Sequence, residues 1–242
     1  MLDGAEPPTS KVNPLICSAS PRDIPEVKEA LEKIRCDRVL AKYYTEIEAY
    51  AHLREFFLAH KEYSHMVLCP DDLVVTSQAF EAMRRDVEAG LILGGQNRFR
   101  VLSAMCNVVW NLPKLTFNMK GDNHIDFCDL EQVVTLARYL DRPILQVKDC
   151  YFSCTWIRRE VVEKVSFDGL PAEEGCKCFN CMHGVKRHSI DYAFAQECNK
   201  RDIMMFVDTR VRLKHLAWRL GIDVFENLGL GVEEPEMRFR KA

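Results

Sequence analysis

The segment HMVLCPDDLVV sets two adjacent carboxylates, Asp71 and Asp72, directly behind an unbroken apolar run, Met66-Val67-Leu68-Cys69. Two neighbouring carboxylates repel each other. A hard divalent cation relieves that repulsion, because Mg²⁺ and similar ions favour carboxylate oxygen. A cation held there can bridge to a diphosphate and neutralise charge on a leaving nucleoside diphosphate, which is Lewis-acid catalysis. The competing reading is a turn, for which Pro-Asp-Asp is also good chemistry.

Three further groups carry chemical potential. Asp191 follows Ser189, a plausible helix cap, so its plain role is a first-turn charge on a helix dipole. His215 alternates with Val211 and Leu213 against Arg210, Arg212 and Lys214. Period-two alternation puts the imidazole on the apolar face and the three cations on a solvated one. A histidine so placed is either a satisfied core residue or a ligand for metal or phosphate. The loop GCKCFNCMHG gathers Cys176, Cys178, Cys181 and His183, all zinc-ligand types. Its spacing differs from the usual two-pair arrangement. Either Cys150 or Cys154 completes a structural zinc site with three of them, or the loop is cysteine-rich and metal-free.

The elements that must position these groups alternate between strand and helix. Leu15-Ile16-Cys17 suits a buried strand, and Pro25 suits the first turn of the helix carrying Val27, Ala30, Leu31 and Ile34. Val39-Leu40-Ala41 reads as a second strand. Thr45 with Glu48 is a capping box opening a helix that buries Ile47, Tyr50, Leu53, Phe57 and Leu58. The run 66–69 reads as a central strand covered on both faces. Ala79, Phe80, Met83 and Val87 mark a helix that Gly90 is expected to stop, before a strand Leu91-Ile92-Leu93. Asp129 with Gln132 is a second capping-box pattern ahead of Val133, Leu136, Ala137 and Leu140, and residues 203–207 suit a late strand. The pattern predicts an α/β fold with a mainly parallel central sheet flanked by helices. Residues 1–13 and 230–242 read as loose tails around one domain, 14–229, divided near residue 100 into a nucleotide-binding half (14–100) and an acceptor half (101–229).

Composition bounds the partners. The 242 residues are 48% hydrophobic and carry a net charge of −3, so the chain is expected to be globular and lacks a general nucleic-acid footprint. No apolar run approaches the roughly 18 residues that a transmembrane helix needs. The N-terminus MLDGAEPPTS is polar and acidic, unlike a secretory signal. Eleven cysteines without such a signal suggest free thiols in a reducing cytoplasm.

In this frame the chain resembles glycosyltransferases of the GT-A fold, a Rossmann-like nucleotide-diphospho-sugar transferase fold, in the manner of glycosyltransferase family 2. Three segments carry the likeness over residues 14–220: Pro70-Asp71-Asp72 in place of the family's Asp-x-Asp motif, CYFSCTWIRREVVEKVSFDGLP, and HSIDYAFAQECNKRDIMMFVDTRVRLKHLAW. The resemblance implies Mn²⁺ or Mg²⁺ on Asp72 and His215, and Asp71 near the ribose or metal. It implies a nucleobase pocket around Ser18, Ala19 and Ser20, and Asp191 as the base for an acceptor hydroxyl. Ser153, Cys154 and Thr155 stand where the family admits the sugar. The implied donor is a UDP- or GDP-sugar and the implied acceptor a glycan, lipid or protein. Pro70 replaces the family's first acid, leaving one fewer carboxylate.

Two rivals remain open at this point. Sugar-nucleotide nucleotidyltransferases carry a Gly-rich loop after the first strand, whereas CSASPRDIPE has no glycine. A zinc-stabilised or glycosyltransferase-like binding module without turnover would also account for Pro70 and the cysteine loop.

Overall fold

A computed structural model describes residues 12–20, 24–42, 44–92, 99–106, 117–118, 130–141, 143–167, 189–216 and 236–242. Among them, eight strands form one sheet with helices on both faces. Strand β1 (Pro14–Ser20) lies between β2 (Arg38–Lys42) and β3 (His65–Leu68), parallel to both. The crossovers are α1 (Pro25–Glu32) and α2 (Glu46–Ala59). Pro25 opens α1, and the reciprocal Thr45–Glu48 capping box opens α2.

Helices α1 and α3 (Ser77–Ile92) cover one face, packing Val27, Leu31, Phe80, Met83 and Val87 on Ile16, Val67 and Trp156. The other face takes α2, α4 (Leu130–Tyr139), α5 (Arg159–Lys164) and α6 (Ile190–Lys200). All four side chains of β3 are buried, as a central strand requires.

The sheet is mixed rather than mainly parallel. Strand β9 (Thr155–Arg158) lies antiparallel between β3 and β5 (Val101–Met105). Strand β10 (Met205–Arg212) runs parallel to β5, and β7 (Ile144–Val147) pairs antiparallel with β10. Strands β7 and β9 therefore both run against β3, β5 and β10, with β5 and β10 set between them in the sheet.

Two other expectations are corrected. Helix α3 runs through Gly90 to Ile92, where a stop and then a strand at 91–93 were expected. A Cβ at position 90 would collide with the Phe99 ring, so this glycine serves close packing rather than termination. The expected C-terminal tail contains β12 (Glu236–Arg240), antiparallel to β2. It sets Met237 and Phe239 towards α2, with the Phe239 ring 5.3 Å from Phe56, while Arg238 and Arg240 take the α1 side. At the other end, Val12 is buried and Asn13 donates its backbone N–H to Ser64 Oγ, 2.8 Å away, so order begins before residue 14. Asp129 of the second capping-box pattern lies outside the described residues.

Arg159 joins the last turn of α2 to β9. Its guanidinium donates to the carbonyls of Tyr63 (2.8 Å), Phe57 (2.9 Å) and His60 (2.6 Å) and lies over the Phe57 ring. The Phe57 and His60 carbonyls also accept the backbone N–H groups of His60 (3.2 Å) and Tyr63 (3.4 Å), so the guanidinium takes up their second lone pairs. Arg159→Met is expected to destabilise the fold by about 2–4 kcal/mol, since three carbonyls then lose a charged donor. A urea titration checks this: the midpoint should fall with the slope unchanged.

Candidate functional site

The carboxyl ends of β1 and β3 meet where Ser18 Oγ donates to the carbonyl of Cys69, 2.6 Å away. Just beyond, the chain turns through Pro70, Asp71 and Asp72 into β4 (Leu73–Val74). This is the crevice in which open α/β sheets take ligands. Asp71 and Ser18 are both buried there.

Far along the sequence, β10 delivers the histidine. Its pairing with β5 shifts register between Asp208 and Arg212. The displaced chain then forms β11 (Lys214–His215), antiparallel to β4, with His215 opposite Leu73. Leu216 donates its N–H to the Asp72 carbonyl at 2.8 Å. His215 Nε2 consequently lies 3.1 Å from Asp72 Oδ2, with both side chains mostly buried. Asp72 and His215, 143 residues apart, are thus brought together.

The register shift is held electrostatically. Asp208 is fully buried, and its Oδ1 accepts the backbone N–H of Arg210 at 3.0 Å. The Arg210 guanidinium bonds both Asp208 oxygens at 3.0 Å and reaches Asp86 of α3 at 2.7 Å. Burial alone would raise the Asp208 pKa, but hydrogen bonds from Arg210 and Asp86 more than offset it and hold the group below its ordinary value. Asp86 is pushed up by burial and by Asp208. Arg210 keeps to the exposed face that its alternation implies, and from there its guanidinium is tied into a carboxylate pair. Lys214 pairs with Glu26 at 2.5 Å.

Asp191 occupies the first turn of α6. Ser189 is the N-cap residue, but its side chain makes no capping bond to the helix backbone; its hydroxyl bonds the Asp191 carboxylate instead. Asp191 Oδ1 also accepts the N–H of Tyr192 at 2.8 Å. The residue is half-buried, and burial of its carboxylate raises the pKa from 3.8 to about 6, against those hydrogen bonds.

Tyr50 was legible only as part of the buried stripe of α2, yet its phenol feels this charge distribution. Burial raises its phenol well above the ordinary value, and the carboxylates of Glu46, Asp191, Asp71 and Asp72 add to the effect. All four acids are therefore within electrostatic reach of one hydroxyl. Its ring packs with Phe152 and Phe167, which in turn pack on Phe194, one helical turn after Asp191.

Lys42 was also missed. It ends β2, is buried, and lines a cavity of about 440 Å³ together with Ser18 and Asp71. Ala19 is buried on the opposite face of β1, among the α2-side core residues, and does not line this cavity. The side chain of Ser20 is outside the described residues. Ser153, Cys154 and Thr155 are buried, with Ser103 Oγ 2.9 Å from Thr155 Oγ1 and Cys106 Sγ 3.0 Å from Ser153 Oγ. Their polar atoms thus join β5 to β9 rather than face an open pocket. Cys176, Cys178, Cys181 and His183 lie outside the described residues.

Among the described residues no group of three or more His, Cys, Asp or Glu side chains converges as a metal cage, and no helix is long and apolar enough to cross a membrane. Asp72 and His215 nevertheless suit two adjacent ligand positions. Ligand atoms at about 2.1–2.2 Å from one ion and at right angles to each other stand roughly 3 Å apart. Mg²⁺-type ions commonly take only one or two protein groups and fill the remaining positions with water and substrate phosphate.

No protein-family model and no curated protein matches the chain. Among solved structures it is similar to A197 from STIV, with a TM-score of 0.51 and 14% identity, over 84% of this chain and 85% of that one. At that identity the likeness is one of fold alone, here a mixed α/β fold with a large central sheet.

The raised pKa of Asp191 makes a prediction about stability. Between pH 3.8 and about 6 the folded carboxyl binds a proton that the unfolded one has released, so stability falls as pH rises through that window. Above it the cost of a buried charge is fully present. Asp191→Asn should therefore stabilise the protein at pH 7.5 by about 2–3 kcal/mol and by little at pH 4. Urea titrations at both pH values decide it, and an equal effect at the two would refute the buried-charge assignment.

Proposed function

We propose that the chain is a metal-dependent glycosyltransferase that moves a sugar from a nucleotide-diphosphate donor to an acceptor hydroxyl. The observation that carries the reading is the 3.1 Å approach of His215 Nε2 to Asp72 Oδ2 beyond the carboxyl ends of the parallel strands, beside a cavity lined by Ser18, Lys42 and Asp71. A fold hosts many functions, so the proposal rests on the site and on the resemblance of its segments.

Asp72 and His215 would hold Mn²⁺ or Mg²⁺, and the bound ion supplies neutralisation of charge on a leaving diphosphate. The Lys42 ammonium in the adjoining cavity adds positive charge for the same phosphates. Asp191 takes the proton of the acceptor hydroxyl. The acceptor oxygen then bonds to the anomeric carbon as the bond from that carbon to the diphosphate oxygen breaks, and the electron pair leaves with the nucleoside diphosphate. A carboxylate whose pKa is near 6 is well matched to this work, being ionised at neutral pH yet more basic than an exposed aspartate. Tyr50 and its aromatic neighbours fix α6, and thereby Asp191, relative to Asp72. Ligation by only two protein groups also accommodates a second reading, a nucleotide-binding module without turnover.

Thermal unfolding with UDP, GDP, CDP and dTDP, with and without Mn²⁺, tests the reading. One nucleotide at 100 times its dissociation constant should stabilise by roughly 2.7 kcal/mol, only with metal present. Asp72→Ala and His215→Ala should each abolish that response. Asp191→Asn should retain it and lose sugar transfer. Binding without hydrolysis or transfer by the wild type would favour the binding module, and absence of any nucleotide response would defeat both readings.

A further inference from the structure

We propose that the donor nucleoside is guanosine, read at the far end of the cavity by Glu32, Arg38 and Arg240. The inference rests on the nucleotide-sugar reading and names the base that the site selects.

The cavity lies between α1 and the face formed by β1, β2 and β12. Strand registers fix its course. Ser18 stands opposite Leu40, and Leu40 opposite Arg238. One step further from the phosphate end, Ile16 stands opposite Arg38, and Arg38 opposite Arg240. The cavity therefore starts at Ser18, Asp71 and Lys42. It passes an apolar stretch made by Val27 and Leu31 of α1 with Ile16 and Leu40. It ends at Arg38, Arg240 and Glu32. Polar groups at two ends of an apolar slot suit a flat heterocycle joined to an anion. The volume of about 440 Å³ falls within the range of small-ligand pockets.

The far end carries an arrangement that its own members leave incomplete. Arg38 and Arg240 both approach Glu32 Oε1 at 3.9 Å, within ion-pair range but too long for hydrogen bonds. Burial and the neighbouring Arg240 lower the Arg38 pKa, against the effect of Glu32. Two guanidinium forks thus share one carboxylate that hydrogen-bonds neither of them.

Base edges differ in what they offer such a set. Guanine presents two adjacent acceptors, O6 and N7, which fit an arginine fork. It also presents two adjacent donors, N1–H and the N2 amino group, which fit a carboxylate with one bond to each oxygen. Uracil has a single N–H between two carbonyls. Cytosine and adenine each offer one amino group beside ring acceptors. Guanine alone among them satisfies a fork and a carboxylate together.

The test is calorimetric titration of the full chain with GDP, IDP and UDP in Mn²⁺, for wild type, Glu32→Gln and Arg240→Met. IDP keeps O6, N7 and N1–H but lacks the 2-amino group. Wild type should bind GDP about tenfold or more tightly than IDP, and tighter again than UDP. Glu32→Gln should erase the preference of GDP over IDP while leaving UDP affinity unchanged. Arg240→Met should weaken GDP and IDP equally. Glu32 is half-exposed and Arg240 more so, and a circular dichroism melt confirms that both variants fold. Tighter binding of UDP, or a GDP-to-IDP ratio unchanged in Glu32→Gln, overturns the guanosine assignment and leaves the transferase reading standing. Binding of none of the three nucleotides overturns that reading and this one with it.

Discussion

The site depends on a single fully buried carboxylate far from its centre. Asp208 accepts the Arg210 backbone N–H and grips the same residue's guanidinium, which also reaches Asp86 on α3. A carboxylate with no exposure is costly unless hydrogen bonds satisfy it. Here the same bonds that satisfy it hold β10 in its register shift. An unshifted β10 would continue along β5. The shifted chain instead leaves the main sheet and lays β11 on β4, and only that pairing sets His215 beside Asp72.

The second constraint is repulsion. Glu46, Asp71, Asp72 and Asp191 act together on the Tyr50 phenol, so negative charge is concentrated at the carboxyl edge of the sheet. Lys42 and His215 bring basic side chains to the same region. Such a distribution favours a bound cation and separates roles by environment. Asp72 is held by β4 and by its histidine. Asp191 sits in the first turn of α6, where burial raises its proton affinity. Two carboxylates of one chemical type thereby acquire different basicities, as division of labour between ligand and base requires.

Much of this was legible wherever a local rule and the tertiary structure agree. The run before Asp71 is a four-residue apolar segment that cannot lie on a surface, and it became β3. The capping box at Thr45 and Glu48 is satisfied within four residues and needs nothing from the rest of the chain. His215 alternates with Val211 and Leu213, and its half-buried placement follows. The misses are of another kind. Gly90 looked like a helix stop because its cost in a helix, about 1 kcal/mol, is visible in sequence while the Phe99 ring packed against it is not. β12 looked like a tail because EMRFR is mostly charged, yet an edge strand needs only one apolar face, and Met237 and Phe239 supply it. Arg210 is exposed as its alternation implies, but its tie to Asp86, 124 positions away and on another element, leaves no local trace in the sequence.

The same asymmetry explains why Tyr50 and Lys42 escaped notice. A tyrosine in an apolar helical stripe and a lysine at a strand end each have a plain structural reading. Their chemistry arises from what the fold brings against them: four acids around one hydroxyl, and a cavity floor beside Ser18 and Asp71. Sequence patterns report which face a side chain takes. They do not report the charges that other elements set opposite that face, and in this protein those charges come from α2, from the turn after β3 and from the first turn of α6. The site is therefore a property of the sheet's strand order, with β1, β3 and the β10–β11 return converging at one edge, more than of any single motif within it.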